Sequence, residues 1–331
     1  MPEPMLSVRN LRVEIATRRG MLVAVDDVSF DIAQGEVLGV VGESGAGKSI
    51  TGGAIIGLID PPLRRAGGTI KFDGRRIDDL EPEAMRALRG RHIGAVFQDP
   101  LTSLNPLMTV GRQLAQTITT HLDLSSRQAR EQAARLLAEV GFPAPKERLD
   151  SYPHELSGGM RQRVVLALAF CCEPKLIIAD EPTTALDVSV QAQVIELFKR
   201  MCRDHRTAVM LITHDMGVIA ETADRIAVMY AGRLIEIGSA RAVLGAPAHP
   251  YTRGLMASIP SIKRRNAELP QIEGNMPRLD AIPPGCAFHP RCAWRLPRCD
   301  RERPVLAAAG ETQSACWLTA GHEGVLLARH A

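Results

Sequence analysis

Glu36-Val37-Leu38-Gly39-Val40-Val41-Gly42-Glu43-Ser44-Gly45-Ala46-Gly47-Lys48-Ser49 sets the architecture of everything around it. Its last eight residues fit G-x-x-x-x-G-K-[ST], the spacing of a phosphate-binding loop. The residues before the loop form an apolar run of strand length, and Ile50–Ile59 reads as a helix. Strand, glycine turn, helix is the context in which the motif works. Gly42, Gly45 and Gly47 let the backbone curl, so that N–H groups along Glu43, Ser44 and Ala46 face phosphate oxygens. The helix N-terminus adds partial positive charge. Lys48 is expected to reach the β- and γ-phosphates, and the Ser49 hydroxyl to hold Mg²⁺.

Upstream of the loop, Leu6–Val8, Leu11–Ile15, Leu22–Val25 and Val28–Ile32 alternate in a strand-like way, which predicts short strands joined by turns in an antiparallel sheet. Downstream, Gly67–Gly74 predicts a hairpin, and Ile93–Phe97 predicts a buried strand that delivers Gln98. From Pro106 to Leu149 the pattern turns helical. Ala133, Leu136, Leu137 and Val140 keep helical spacing, and Gly141 with Pro143 stops the helix. Leu156-Ser157-Gly158-Gly159-Met160-Arg161-Gln162-Arg163 then opens an apolar helix running to Cys172. Leu176–Ala179 is an apolar strand ending in Asp180 and Glu181. Beyond it come a helix (190–202), a strand (208–213), a helix (216–223) and two last strands, 226–230 and 234–238. Strands alternating with helices imply a parallel α/β sheet with its chemistry at the strand C-terminal ends. Lys48, Gln98, Asp180 and His214 all fall just past such ends.

The 331 residues suffice for one large or two modest domains. Lys plus Arg (40) nearly balances Asp plus Glu (37), and a net charge of +3 gives no electrostatic case for nucleic acid. Aromatic content of 4% requires an aliphatic core. Met1-Pro2-Glu3-Pro4 lacks the basic-then-apolar pattern of a signal peptide. The longest apolar run, Val164–Cys172, is about half a membrane span. The expectation is a soluble cytoplasmic chain. Seven cysteines in a reducing compartment argue against a disulfide framework.

Taken together, over about residues 5–245, these motifs resemble the ATP-binding subunit of an ABC transporter. Leu156-Ser157-Gly158-Gly159 matches the signature that separates this family from other phosphate-loop ATPases, with Met160 where Gln is usual, a change also seen in peptide-importer relatives. The resemblance implies that Ser157, Gly158, Gly159 and Gln162 face the ATP held by an opposite subunit, two subunits enclosing two nucleotides. It implies ATP bound by Gly42–Ser49 with Gln98, Asp180 and His214. Mg²⁺ is then held by Ser49, Gln98 and Asp180, and Glu181, His214 and Gln98 act in catalysis. Ala185-Leu186-Asp187 matches the D-loop, with Thr184 where Ser is commoner, and Asp187 would help join the two sites. The family's usual adenine-stacking aromatic is missing. The candidate position lies near Ile15, so adenine packs on aliphatic side chains or on Arg18 or Arg19. The implied fold class is α/β: a RecA-like phosphate-loop core with an antiparallel β subdomain and a helical subdomain inserted at about 100–170. The implied domains are a cassette over 1–245 and a small Cys-rich extension over 246–331.

That extension narrows the resemblance. Ala248-His249-Pro250-Tyr251-Thr252 and Gly285-Cys286-Ala287-Phe288-His289-Pro290-Arg291-Cys292 are similar to the tail of oligopeptide and dipeptide importer ATPases, and relatives that import nickel or other solutes share it. Lys263-Arg264-Arg265 reads as a solvated linker. Cys286, Cys292, Cys299 and Cys316 are spaced C-x5-C-x6-C-x16-C. Zinc favours tight C-x2-4-C pairs, so this looser pattern leans toward a [4Fe–4S] cluster, which some members of the family carry; zinc and plain thiols stay open. The implied function is ATP hydrolysis powering peptide import. Implied partners are two membrane permease subunits docked near Gln98–Pro106 and a second ATPase subunit, either a paralogue or a second copy. An extracytoplasmic binding protein acts indirectly, and no nucleic acid is involved. The place is the cytoplasmic face of the inner membrane, held peripherally. The rival readings are the same engine for nickel or another solute, and a non-transport ABC ATPase acting on DNA or ribosomes. The latter usually carries tandem cassettes or coiled-coil insertions, and this chain has one phosphate loop and no sustained heptads. A degenerate ATPase serving as a regulatory module is a third reading, disfavoured because every catalytic position is filled.

Overall fold

The computed structural model describes residues 3–183, 187–258 and 271–319, with the side chains of residues 100 and 101 left aside. Thr184–Leu186 of the D-loop and Lys263–Arg265 lie outside the described residues. In chain order the first elements are β1 (Leu6–Thr17), β2 (Gly20–Ile32), β3 (Val37–Val41), α1 (Lys48–Ile55), β4 (Leu63–Phe72), β5 (Arg75–Arg76), α2 (Pro82–Leu88) and β6 (Ile93–Val96). A helical stretch follows: α3 (Pro100–Ser103), α4 (Val110–His121), α5 (Ser126–Glu139), α6 (Pro145–Arg148) and α7 (Gly158–Phe170). Then come β7 (Leu176–Asp180), α8 (Val188–His205), β8 (Ala208–Ile212), α9 (Met216–Thr222), β9 (Arg225–Tyr230) and β10 (Arg233–Ser239). The tail holds α10 (Ala240–Gly245), α11 (Pro250–Ala257), β11 (Ala307–Ala309) and β12 (Thr312–Ser314).

Among the described residues two compact units emerge, one drawn from the ranges 7–31, 37–70 and 212–331, the other from 1–6, 32–36 and 71–211. In the first, β3 runs parallel to β9, pairing Leu38 with Arg225 and Val41 with Val228. All five β3 residues are buried, which is why the strand reads as a continuous apolar run and not as an alternation. Each such aliphatic side chain contributes about 1.5–3 kcal/mol by leaving water. Antiparallel β10 lies beside β9, and the tail strand β12 extends the sheet by pairing Glu236 with Ser314.

The four short N-terminal strands expected from the alternation are two long ones. Asn10 and Asp27 sit inside β1 and β2 at φ 50 and 59, and the Asn10 side chain donates to Asp27 Oδ1 at 2.6 Å. Asn and Asp tolerate the left-handed region, so each kinks its strand and breaks the alternation without ending the strand. The tail strands were also unexpected: Ala307-Ala308-Ala309 and Thr312-Gln313-Ser314 carry no period-two signal.

In the second unit β6, β7 and β8 are neighbours, with β6 parallel to β7 and Ile93 opposite Leu176. The expected hairpin is present, its antiparallel arms pairing Phe72 with Arg75. Ser125 and Gln128 form a reciprocal cap on α5 (2.9 and 3.4 Å), which fixes its start. Its stripe of Ala129, Ala133, Leu136 and Leu137 is buried, and Gly141 at φ 79 follows its end. Arg163 of α7 donates to the Val140 carbonyl at 3.0 Å, tying α5 to α7.

Candidate nucleotide site

Each unit carries its own set of the residues singled out in the sequence. In the first, β3 delivers Gly42 at φ 149, where an added Cβ would stand 2.3 Å from the Met229 carbonyl oxygen. Only glycine fits there. Lys48 opens α1 behind Gly47, and the lysine is only 7% exposed. Its ammonium is held inside the loop, donating to the carbonyls of Gly42 at 2.7 Å and Glu43 at 3.0 Å. Ser44, Gly45 and Ser49 are exposed. A buried helix start carrying a cation, with an open loop above it, is a built anion cradle. Past β8, Thr213 donates its N–H to the Val40 carbonyl at 3.3 Å. Asp215 caps α9 by accepting from Gly217 at 2.8 Å. Exposed His214 sits between them, fixed by its neighbours' backbone.

The loop is also fastened from the tail. The Glu43 N–H donates to Tyr251 Oη at 2.9 Å. The Glu43 carboxylate accepts from Arg291 Nη1 at 3.0 and 3.1 Å. Tyr251, Tyr230 and Phe288 pack edge-on, with centroids 4.7–5.4 Å apart. Sequence reasoning quoted both tail motifs but did not connect them to the loop. A cavity of about 650 Å³ lined by the N-terminal strands, β9–β10 and the tail includes no loop residue. It is walled by apolar groups such as Leu22, Leu279, Ile282 and Phe288.

In the second unit, Asp180 ends β7 and Glu181 follows at φ 48. A non-glycine residue in the left-handed region is strained, by about 1–3 kcal/mol, and such strain gathers at functional positions. Glu181 Oε2 accepts from Gln98 Nε2 at 3.0 Å, so the two sheet-end residues predicted to act together do meet. Ser157 caps α7, its hydroxyl accepting from Met160 N at 3.3 Å. Gly158 follows exposed, and a Cβ on Gly159 would lie 2.4 Å from Val190 Cγ1. That glycine lets α7 and α8 close on each other. Gln162, 2% exposed, donates to the Pro182 carbonyl behind Glu181. Asp187 is exposed and caps α8 by accepting from Val190 N at 3.0 Å.

Burial pushes the Cys292 thiol up to about 11 and Cys316 up to about 12, and the other tail thiols add to both. The four are thus electrostatic neighbours. No group of three or more His, Cys, Asp or Glu among the described residues is placed to hold a metal ion, which supports neither the zinc nor the iron–sulfur expectation.

A profile for the family described as "ABC transporter" matches residues 25–184, and one for "Oligopeptide/dipeptide transporter, C-terminal region" matches 235–299. The dipeptide transport ATP-binding protein DppD of Bacillus subtilis (strain 168) is 48% identical over 318 residues, 96% of this chain and 95% of that protein. The oligopeptide transport ATP-binding protein OppD of Salmonella typhimurium is 46% identical over 319 residues, again 96% and 95%. Among solved structures, a post-hydrolysis dimer of the ATP-binding cassette MJ0796 bound to ADP and Pi matches with a TM-score of 0.64. It is 26% identical and covers 72% of this chain and 99% of that one.

Proposed function

The chain belongs to the ABC transporter ATP-binding family, and from that premise we propose that it is the ATP-hydrolysing subunit of an importer of dipeptides or oligopeptides. Both relatives quoted above are named as ATP-binding proteins of peptide transport and are covered over nearly their whole length. Nickel or another small solute is the second reading, favoured by nothing in the site.

In this reading the loop Gly42–Ser49 binds the ATP phosphates, with Lys48 countering the charge of the β- and γ-groups. Ser49, Asp180 and Gln98 are the oxygen donors that would hold Mg²⁺, which when bound neutralises phosphate charge. Glu181 orients a water that attacks the γ-phosphorus. The new O–P bond forms as the bond to the β–γ bridging oxygen breaks, releasing ADP, phosphate and a proton. His214 is placed to hydrogen-bond the γ-phosphate. Ser157, Gly158 and Gly159 of a second ATPase subunit, identical or paralogous, close the nucleotide from the other side, and Asp187 links the two sites; Gln162, expected to join them, is instead buried against the Pro182 carbonyl of its own chain. Catalysis is positioning and charge stabilisation. The observation that carries it is Glu181, strained in backbone and hydrogen-bonded to Gln98. Glu181→Gln is expected to keep ATP binding, lose turnover by at least a hundredfold and accumulate as a closed dimer. Unchanged turnover refutes the assignment.

Among the described residues no helix is long and apolar enough to cross a membrane, and in this reading the path for the substrate lies in separate permease subunits. Phe97 is 50% and Leu107 85% exposed, and a groove of about 370 Å³ runs beside Phe97, Thr102 and Val165. These apolar surfaces support docking of two permeases there, at the cytoplasmic face of the inner membrane. An external binding protein hands over substrate, and the chain has no nucleic-acid role. The division into a cassette (1–245) and an extension (246–331) belongs to the same reading. The tail cysteines are proposed as cluster ligands. What supports that reading is their C-x5-C-x6-C-x16-C spacing, looser than the tight pairs of zinc sites.

A further inference from the structure

The tail reaches the phosphate loop through one side chain that the mechanism above does not use. Arg291 is buried, its side chain 7% exposed, and every contact fixes it. Nε donates to the Glu273 carbonyl at 2.8 Å and Nη2 to the Ile272 carbonyl at 3.3 Å. Nη1 donates to both carboxylate oxygens of Glu43 and to Tyr230 Oη at 3.4 Å. The guanidinium also lies 5.9 Å from the Tyr230 and Phe288 ring centres. Glu43 is the second residue of the loop. With its N–H donated to Tyr251 and its carbonyl accepting from Lys48, it is held at backbone and side chain alike.

A carboxylate in a loop that binds a polyanion is an electrostatic liability, because its repulsion of the phosphates in a half-buried setting far exceeds that in bulk water. We propose that Arg291 is a positioning residue for nucleotide binding: it cancels the Glu43 charge and pins the loop, so that the tail sets the affinity of the site for the triphosphate. The proposal rests on the nucleotide reading above. Arginine suits the task because it stays charged when buried and has donors to spare: Nη1 engages Glu43 while Nε and Nη2 hold the tail carbonyls.

The test is ATP affinity of the full-length protein in Mg²⁺ by calorimetric titration, for wild type, Arg291→Ala, Arg291→Gln, Glu43→Gln and the double variants. Arg291→Ala leaves the loop one negative charge richer and is expected to weaken ATP binding about tenfold or more. Arg291→Gln keeps a donor for the tail carbonyls and is expected to weaken it similarly. Glu43→Gln leaves one positive charge in excess and is expected to tighten it. Pairing Glu43→Gln with either Arg291 change restores neutrality, so affinity returns to within about threefold of wild type. A role confined to packing predicts the reverse, since the doubles lack both partners. Doubles as weak as the Arg291 singles overturn the proposal, as does an Arg291→Gln protein binding like wild type. A wild-type protein that binds no ATP would instead sink the nucleotide reading itself, a separate outcome.

Discussion

His249 supplies a quantitative test of the tail's anchorage. The imidazole is 1% exposed. Its Nδ1 accepts the Tyr251 N–H at 3.0 Å, capping α11, while the backbone N–H of His249 donates to the carboxylate of buried Glu236 at 2.9 Å. Burial pushes its pKa down from 6.5 to about 3. Between those values the unfolded chain binds a proton that the folded chain refuses. The contribution to stability is therefore present above pH 6.5 and lost as pH falls toward 3. For those two values, going from pH 7 to pH 5 removes about 2 kcal/mol. His249→Asn keeps a side-chain oxygen able to cap the helix but does not titrate. Urea unfolding of both proteins at pH 7 and 5 should show the wild type losing about 2 kcal/mol more than the variant. His92 and His121, also lowered chiefly by burial, occur in both and cancel in the difference. Equal acid losses, or a resonance assigned to His249 by its absence in His249→Asn that titrates above pH 6 in the folded wild type, would show that His249 is not held neutral.

Two further outcomes are expected. Gly42→Ala drives a Cβ to within 2.3 Å of the Met229 carbonyl, whereas Gly45→Ala at φ 84 meets nothing within 4 Å. Thermal unfolding and ATP titration should therefore show Gly42→Ala losing ATP binding and about 3 kcal/mol or more of stability, against about 1 kcal/mol for Gly45→Ala. The reverse order would contradict the loop geometry. Anaerobically purified protein should carry about four irons and four acid-labile sulfides per chain, lost in a Cys292→Ser/Cys299→Ser variant. Stoichiometric zinc, or no metal at all, would remove the cluster.

What the sequence made legible follows the reach of each interaction. The loop, the Ser157 cap, the paired acids after β7 and the apolar strands are decided within a few residues, by glycine steric freedom, capping chemistry and continuous burial. The expected neighbours Gln98 and Glu181 meet as well, 83 positions apart, because both stand at the ends of parallel strands and topology carries them to one edge. Misreadings came where a local exception overrode the pattern. Asn10 and Asp27 turned the backbone left-handed inside strands. The alanine-rich β11 and polar β12 gained their pairing from β10, not from any alternation of their own.

The fastening of Glu43 shows the limit of pattern reading most clearly. Tyr251 and Arg291 lie 208 and 248 positions from the residue they hold, and neither carries a periodic or spacing signal that points to the loop. What the sequence did show was an economy of aromatics; the structure gathers two of the three tyrosines, with Phe288, into one cluster. Where the buried Phe170–Phe198 pair only fills core, this cluster stands beside backbone held against a charged side chain. Rings supply rigid area, hydroxyls that bond main-chain amides, and faces that seat a guanidinium. Tyr251 uses the first two on the Glu43 amide, and Tyr230 with Phe288 supplies the third to Arg291. The extension is thus part of the machinery of the phosphate loop, and shortening the chain near residue 245 would strip that loop of both its outer supports.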